Sequence, residues 1–237
     1  MTSTQNYLLS KLSPKHSAML SPHLEAVDLP LRFGVEKTGK PVEHIYFPDC
    51  GMVSVVVDLA KTHQAEAGTI GWDLFTGHSV VLGGGVSLTT LYMQIAGRGR
   101  RIPADIFANF LKEDRELHNY FLAAVEGFSA QATYTIITNS RGKLEERLCR
   151  WLLMAHDRSE GDTLGITHDL LSVMLGVRRA GVTTALQRLE DIQGVKLDRG
   201  KITVTSRGIL RDNAGPFYGP AESAQMRLTG WQPKAIG

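Results

Sequence analysis

The sequence is poor in cysteine. Two occur in 237 residues, Cys50 and Cys149, and they lie far apart. That excludes a disulfide framework and a thiolate metal cluster, and it fits a compartment in which thiols stay reduced. Long apolar runs are missing too: none approaches the roughly 20 residues that cross a bilayer. The opening stretch, MTSTQNYLLSKLSPKH, lacks the basic start and apolar core of a secretion signal. A cytoplasmic location with no membrane partner is therefore expected. Motifs of catalysis are also missing. There is no nucleophile elbow, P-loop or dinucleotide fingerprint, and Gly83-Gly84-Gly85 is not followed by the pattern of a phosphate loop. The expectation is that the protein is not an enzyme.

Charge of one sign is not in excess, the net formal charge being +2, but its distribution is uneven. Residues 1–140 carry 11 Lys/Arg against 13 Asp/Glu, and residues 141–211 carry 13 against 9. An acidic front and a basic back suit a C-terminal domain that meets phosphates. With 43% hydrophobic and 21% charged residues, the remaining composition is that of an ordinary globular protein.

From about residue 24 to 103, short apolar stretches alternate with turn residues. Leu24–Phe33, Glu43–Phe47, Met52–Asp58 and Leu91–Ala96 have strand length and β-branched or aromatic content. This pattern predicts a small antiparallel barrel or roll. After Pro103 the period changes. Ile106, Phe107, Phe110 and Leu111 mark one helix; Leu117, Phe121, Val125, Phe128, Ala132, Ile136 and Ile137 mark a longer one. A stripe on so long a helix needs a partner, and a second copy of the chain is one. Leu117, Phe121, Val125, Phe128 and Ile136 are the expected dimer interface, with packing on the chain's own roll as the alternative. A further helix is expected over Lys143–Ala155. The boundaries read as a β-roll domain at 1–112, a long helix at 113–140 and a C-terminal domain at 141–211. A Gly- and Pro-rich tail, 212–237, is expected to be partly disordered.

The stretch Ile166–Val204 carries the most information. Thr167 is placed to cap a helix over His168–Leu175, Gly176 supplies a tight turn, and a second helix runs from Arg178 or Arg179 to Asp191. Two short helices about a glycine turn form a helix-turn-helix. Val182, Leu186 and Leu189 face inward, which leaves Arg178, Arg179, Thr183, Thr184, Gln187 and Arg188 for base edges and phosphates. Val195–Leu197 and Ile202–Val204 then form a hairpin about Gly200. It is a wing on which Arg199 and Lys201 reach phosphates.

In this order of elements the chain resembles the Crp–Fnr superfamily, the cyclic-AMP receptor protein and its relatives, over about residues 6–211. The most specific likeness is Ile166-Thr167…Leu171…Leu175-Gly176-Val177-Arg178-Arg179…Val182-Thr183…Leu186…Leu189-Glu190, with Tyr46-Phe47-Pro48…Gly51 in the roll. The resemblance implies an α+β fold. It consists of an N-terminal antiparallel β-roll of the cyclic-nucleotide-binding, jelly-roll type, a long dimerisation helix, and a C-terminal winged helix-turn-helix. It also implies a homodimer on a pseudo-palindromic DNA operator, RNA polymerase as a partner, and allosteric control by a small molecule at the roll. Arg179 corresponds to the family's base-reading arginine, while Ala180 stands where a glutamate would meet a cytosine amino group.

By the same resemblance the effector pocket is expected at Gly71, Trp72 and Asp73, at Ser87 and Leu88, and at Ala132 and Thr133 on the long helix. The pattern departs from the cyclic-AMP type there. No arginine lies between Lys61 and Arg98 to hold an anionic phosphate, so cyclic AMP is not the expected ligand. Two cysteines do not hold an iron–sulfur cluster, and His78 alone is a weak case for haem. Two other functions stand as alternatives. One is a small-ligand module acting through protein partners, which leaves Arg178, Arg179 and Arg188 without a purpose. The other is a β-roll metalloenzyme using His44, His63, Glu66 and His78, which lack the close His-x-His spacing of such sites. No bound metal is expected.

Overall fold

The computed structural model describes residues 6–60 and 63–235. Two short helices open the chain, α1 (Tyr7–Ser10) and α2 (Pro14–Leu20), capped by the side chains of Asn6 and Ser13. The roll follows: β1 (Glu25–Leu29), β2 (Gly34–Glu36), β3 (His44–Ala60), β4 (His63–Ile70), the short α3 (His78–Val81) and β5 (Thr90–Pro103). Every pairing is antiparallel, in the order β1-β5-β3-β4, with β2 on the edge of β5.

Two stretches read as separate strands in the sequence, Glu43–Phe47 and Met52–Asp58, are one strand, β3. Its bulges at Pro48/Cys50, Cys50/Met52 and Met52/Val53 absorb the intervening Pro48 and Gly51. The bend there needs glycine on both strands. A Cβ on Gly51, at φ +84°, would lie 2.8 Å from the Ile95 carbonyl oxygen, and one on Gly97 would meet Cys50 at 2.0 Å. The first expected strand ends earlier, at Leu29, because Pro30 opens a turn in which Phe33 N–H donates to the Pro30 carbonyl.

Past Pro103 come α4 (Ala104–Glu113) and the 27-residue α5 (Arg115–Arg141), whose first turn is capped by Asp114 accepting from Leu117 N–H at 3.0 Å. Leu117, Phe121 and Val125 are buried in the chain's own roll, and Phe128 packs on the same core. At Leu117, Phe121 and Val125 the expected dimer interface is thus corrected: the alternative, packing on the chain's own roll, is what occurs there, while Phe128 stays only partly buried. The physical reason is an aromatic cluster. Phe121 lies 4.9 Å from Phe107, 5.1 Å from Phe75 and 5.9 Å from Phe47, ring centre to ring centre. Only Ile136 of the expected set is exposed, at 68%, beside Ile137 at 44%.

The C-terminal part contains α6 (Leu144–Asp157), β6 (Thr163–Leu164), α7 (His168–Met174), α8 (Arg179–Asp191), β7 (Val195–Asp198), β8 (Lys201–Val204), α9 (Arg207–Ala214) and α10 (Pro220–Thr229). A second core gathers Leu148, Leu152, Leu171, Val182, Leu186, Leu189, Ile202 and Leu210 around α6. The tail from residue 212 is corrected as well: α9 continues to Ala214, α10 follows, and Trp231 beyond it is buried. Its glycines do not loosen it. Gly219 and Gly230 flank α10, both at positive φ, and α10 packs along α5, where Gln225 sits over Gly127.

Buried polar contacts join the roll to the C-terminal part. Gln131 of α5 grips Thr69 of β4 through its backbone, accepting from N–H at 2.6 Å and donating to the carbonyl at 3.2 Å. Glu66 on the outer face of the roll accepts from Ser54 Oγ at 2.5 Å and from Trp151 Nε1 of α6 at 2.6 Å. Burial pushes its carboxyl up to about 7, against the lowering effect of these two bonds and of the Arg150 and Arg158 charges.

Candidate nucleic-acid interface

Thr167 caps α7 by accepting from Leu170 N–H at 3.3 Å. Gly176, at φ +61°, makes the turn that the sequence requires. Arg178 is the N-cap of α8 and Arg179 its first residue. Val182, Ala185, Leu186 and Leu189 hold α8 on the second core, leaving Arg178, Arg179, Thr184, Gln187 and Arg188 exposed. Thr183 is half-buried, and its hydroxyl lies 3.0 Å from His168 Nδ1, which ties the start of α8 to the start of α7.

The wing stands where the hairpin was expected. β7 and β8 pair from Val195↔Val204 to Asp198↔Lys201, with Gly200 at φ +69°, and β8 also pairs with β6. Thr167, Arg179 and Arg199 converge on one recess between α7, α8 and the wing, with Asp169 and Asp198 also on its wall. Arg179 Nε lies 3.3 Å from Asp169 in a pair exposed on both sides. Such pairs are worth about 0.2–1 kcal/mol, so Asp169 holds the guanidinium only weakly. Lys201 is exposed on the wing. Arg188 lies further along α8 and is turned toward α6, where it meets Glu145 at 2.6 Å.

The residues expected at the effector pocket do not come together. Asp73 is fully buried and engaged within the chain: Arg158 donates to it at 2.6 and 3.1 Å, Gln225 at 2.9 Å and Gly71 N–H at 3.1 Å. The Arg158 side chain covers Gly71 so closely that a Cβ there would sit 2.7 Å from it. Trp72 donates from Nε1 to the Asp157 carbonyl at 3.0 Å. Gly71, Trp72 and Asp73 therefore form a joint between the roll and the C-terminal part instead of a ligand wall. Their buried partner Arg158 follows the apolar run Trp151–Ala155, and nothing in the sequence marks it as the mate of Asp73.

A recess of about 220 Å³ does lie between the roll and α5, and Ser87 and Leu88 are on its wall. From α5 it is lined by Val125, Phe128 and Ser129, a turn earlier than the expected Ala132 and Thr133. Thr133 is exposed and donates its hydroxyl to the Ser129 carbonyl at 2.9 Å. The recess also contains Glu36 and His78, which sequence reasoning did not place there. Glu36 accepts from Ser87 Oγ at 2.6 Å and Gly77 N–H at 2.7 Å, and burial raises its carboxyl pKa. Burial lowers His78 to about 4, so its ring is neutral at pH 7, 4.8 Å from that of Phe128.

Of the metalloenzyme candidates, Glu66 lies on the outer face of the roll against Trp151, and His78 lies beside α5. The His63 side chain falls outside the described residues. The grouping of possible metal ligands among the described residues is a different one, His16, Asp114 and Glu116, in which Asp114 already caps α5 and pairs with Lys15 at 2.5 Å.

Two helices about a left-handed glycine, followed by a two-stranded wing and joined to a roll by a long helix, make this a β-roll protein with a winged helix-turn-helix. Residues 146–212 match the Crp-like helix-turn-helix domain. The whole chain has the fold of the Crp/Fnr transcriptional regulators. It is similar to FixK2 from Bradyrhizobium japonicum, at 14% identity and TM-score 0.68 over 81% of this chain and 98% of that one. It is also similar to a Crp/Fnr-family transcriptional regulator from Thermus thermophilus, at 18% and 0.64 over 80% and 98%. A third is CLP of Xanthomonas campestris, a c-di-GMP responsive global regulator, at 16% and 0.62 over 81% and 99%. No curated protein matches the chain in sequence. No helix among the described residues is long and apolar enough to cross a membrane.

Proposed function

We propose that the protein is a sequence-specific DNA-binding transcription regulator of the cytoplasm, acting as a homodimer on a pseudo-palindromic operator. The observation that carries this reading is the recess at the start of α8, where Thr167, Arg179 and Arg199 come from three separate elements to one surface. Arg178, Thr183 and Thr184 extend it along the N-terminal turns of α8, the part of a recognition helix that meets base edges. Arg199 and Lys201 take phosphates from the wing.

The dimer contact lies along the edge of α5 that the roll leaves open. Ser129, Thr133, Ile136, Ile137 and Ser140 are exposed there at helical spacing. A second copy on this edge sets two recognition helices about 34 Å apart, one turn of DNA. Control by a ligand at the roll, and contact with RNA polymerase, belong to the same reading. Glu36 already takes the Ser87 hydroxyl and the Gly77 N–H, donors an anion would need, so the roll recess suits a neutral or cationic effector better than a cyclic nucleotide.

The test is selection of bound fragments from random duplex DNA by the purified chain, with no ligand added. The expected result is a two-fold symmetric motif. If neither the chain alone nor the chain with cell extract enriches any sequence, the reading is wrong.

A further inference from the structure

We propose that Glu66, Ser54 and Met174 form a proton-operated latch between the outer face of the roll and helix α7. The pointer is a hydroxyl placed to make two bonds with one proton. Ser54 Oγ on β3 lies 2.5 Å from Glu66 Oε2 on β4 and 3.7 Å from Sδ of Met174, the last residue of α7. All three residues are buried, so water does not stand in for a missing partner. A serine hydroxyl has a single O–H to give, while an ionised carboxylate and a thioether sulfur only accept. With Glu66 ionised, the carboxylate takes the Ser54 proton and the sulfur receives none. With Glu66 protonated, its own O–H donates to Ser54 Oγ, and the Ser54 proton turns to Met174.

The rest of the site holds the carboxyl still while this choice is made. Trp151 Nε1 of α6 donates to Glu66 Oε1 at 2.6 Å, which it does in either protonation state, so only Oε2 changes role. The charged and titratable groups about Glu66 are Arg150 of α6, Arg158 just beyond that helix, and Tyr92 of β5. β3 and α7 contribute the uncharged Ser54 and Met174. The two arginines favour the carboxylate, but burial outweighs them and sets the carboxyl at about 7, so both states are populated near neutral pH. Beyond the latch, Arg147 of α6 donates to the Leu175 carbonyl and keeps the end of α7 on α6 when the sulfur contact is lost. From Met174 the chain turns at Gly176 into α8, so the latch makes the seating of this helix pair on the roll depend on pH. It belongs to the folded chain and is tested without DNA.

The full chain is isotope-labelled at its methionine methyls and tryptophan indole nitrogens and followed by NMR from pH 5 to 9. The Trp151 indole N–H reports the ionisation of Glu66, and the Met174 methyl, assigned by its loss in Met174→Leu, reports the latch. Both signals should shift together with a midpoint at about pH 7. Ser54→Ala should abolish the Met174 shift while Trp151 still titrates, which separates a relay through the hydroxyl from the field of the charge. Glu66→Gln should abolish both shifts and hold Met174 at the parent's low-pH position, because its amide donates to Ser54 at every pH. A Met174 signal that stays fixed while Trp151 titrates overturns the proposal. So does a Met174 shift that survives Ser54→Ala, or a Trp151 signal that does not titrate in this range.

Discussion

On the proposed reading Arg179 meets a base edge, since α8 begins with it and its pair with Asp169 is exposed on both sides. Replacing it with alanine should weaken specific binding by about 1–3 kcal/mol and relax preference at one base pair. The measurement is repeated fragment selection with the variant, and an unchanged motif would remove Arg179 from base reading. Glu66 makes a second prediction at this scale. Its carboxyl titrates near 4.5 when unburied and is pushed up to about 7 in the folded chain by burial. The folded state therefore keeps a proton that the unfolded state releases between those values. Stability should fall as pH rises through that window, by about 3 kcal/mol at most. Tyr92 and the Arg150 and Arg158 charges stand near it. Glu66→Gln keeps an amide oxygen for Trp151 and removes the titration, so the variant should be more stable at pH 8 and flatter from pH 5 to 8. Urea midpoints at the two pH values decide it, and a variant with the same pH slope as the parent would refute the assignment.

At the scale of elements, α7, α8 and the wing were legible because each is fixed by local chemistry: a threonine cap, a glycine at positive φ, a short hairpin. β4 was not legible, since His63–Ile70 is rich in Ala, Gln and Glu and becomes a strand only by pairing with β3. The stripe of α5 was legible as a stripe, but periodicity does not say what covers it. The phenylalanine cluster of the roll decides that, and it draws rings from four distant places in the chain. Phe121→Ala should accordingly cost about 3–5 kcal/mol of stability in the monomer itself. Ile136→Asp, on the open edge, should change monomer stability by no more than about 0.5 kcal/mol while lowering the dimer fraction. Sedimentation equilibrium separates the two effects, and an Ile136→Asp protein that dimerises like its parent would move the contact elsewhere. On the wing, Lys201→Ala should weaken binding about equally on all sequences and reduce the salt slope by about one unit. A loss confined to particular sequences, measured by titration at several salt concentrations, would mean that Lys201 touches bases.

The whole molecule is held as one piece by a joint that sequence reading assigned to a ligand. Asp73 and Arg158 form a pair buried on both sides, Gln225 of α10 closes it, and Arg158 lies 5.5 Å from the ring of Trp231. A second buried set adjoins it, in which Arg207 and Tyr218 both hold Asp157. Buried pairs of this kind contribute little net stability when whole and a large penalty when broken, so the joint favours one arrangement of roll and DNA-binding unit over others. That arrangement depends on the tail, because Trp231 caps the Arg158 guanidinium and meets Trp72 edge-on at 6.4 Å. A tail read as loose by its glycines and prolines is thus part of the core. If so, Trp231→Ala should cost about 3–5 kcal/mol and lower Tm by on the order of 10 °C. The same change should release Arg158, so that hydrogen exchange rises at Gly71–Asp73 and along α10 together. A Tm within a degree of the parent's, with exchange unchanged at Gly71–Asp73, would show that the joint holds without the tail.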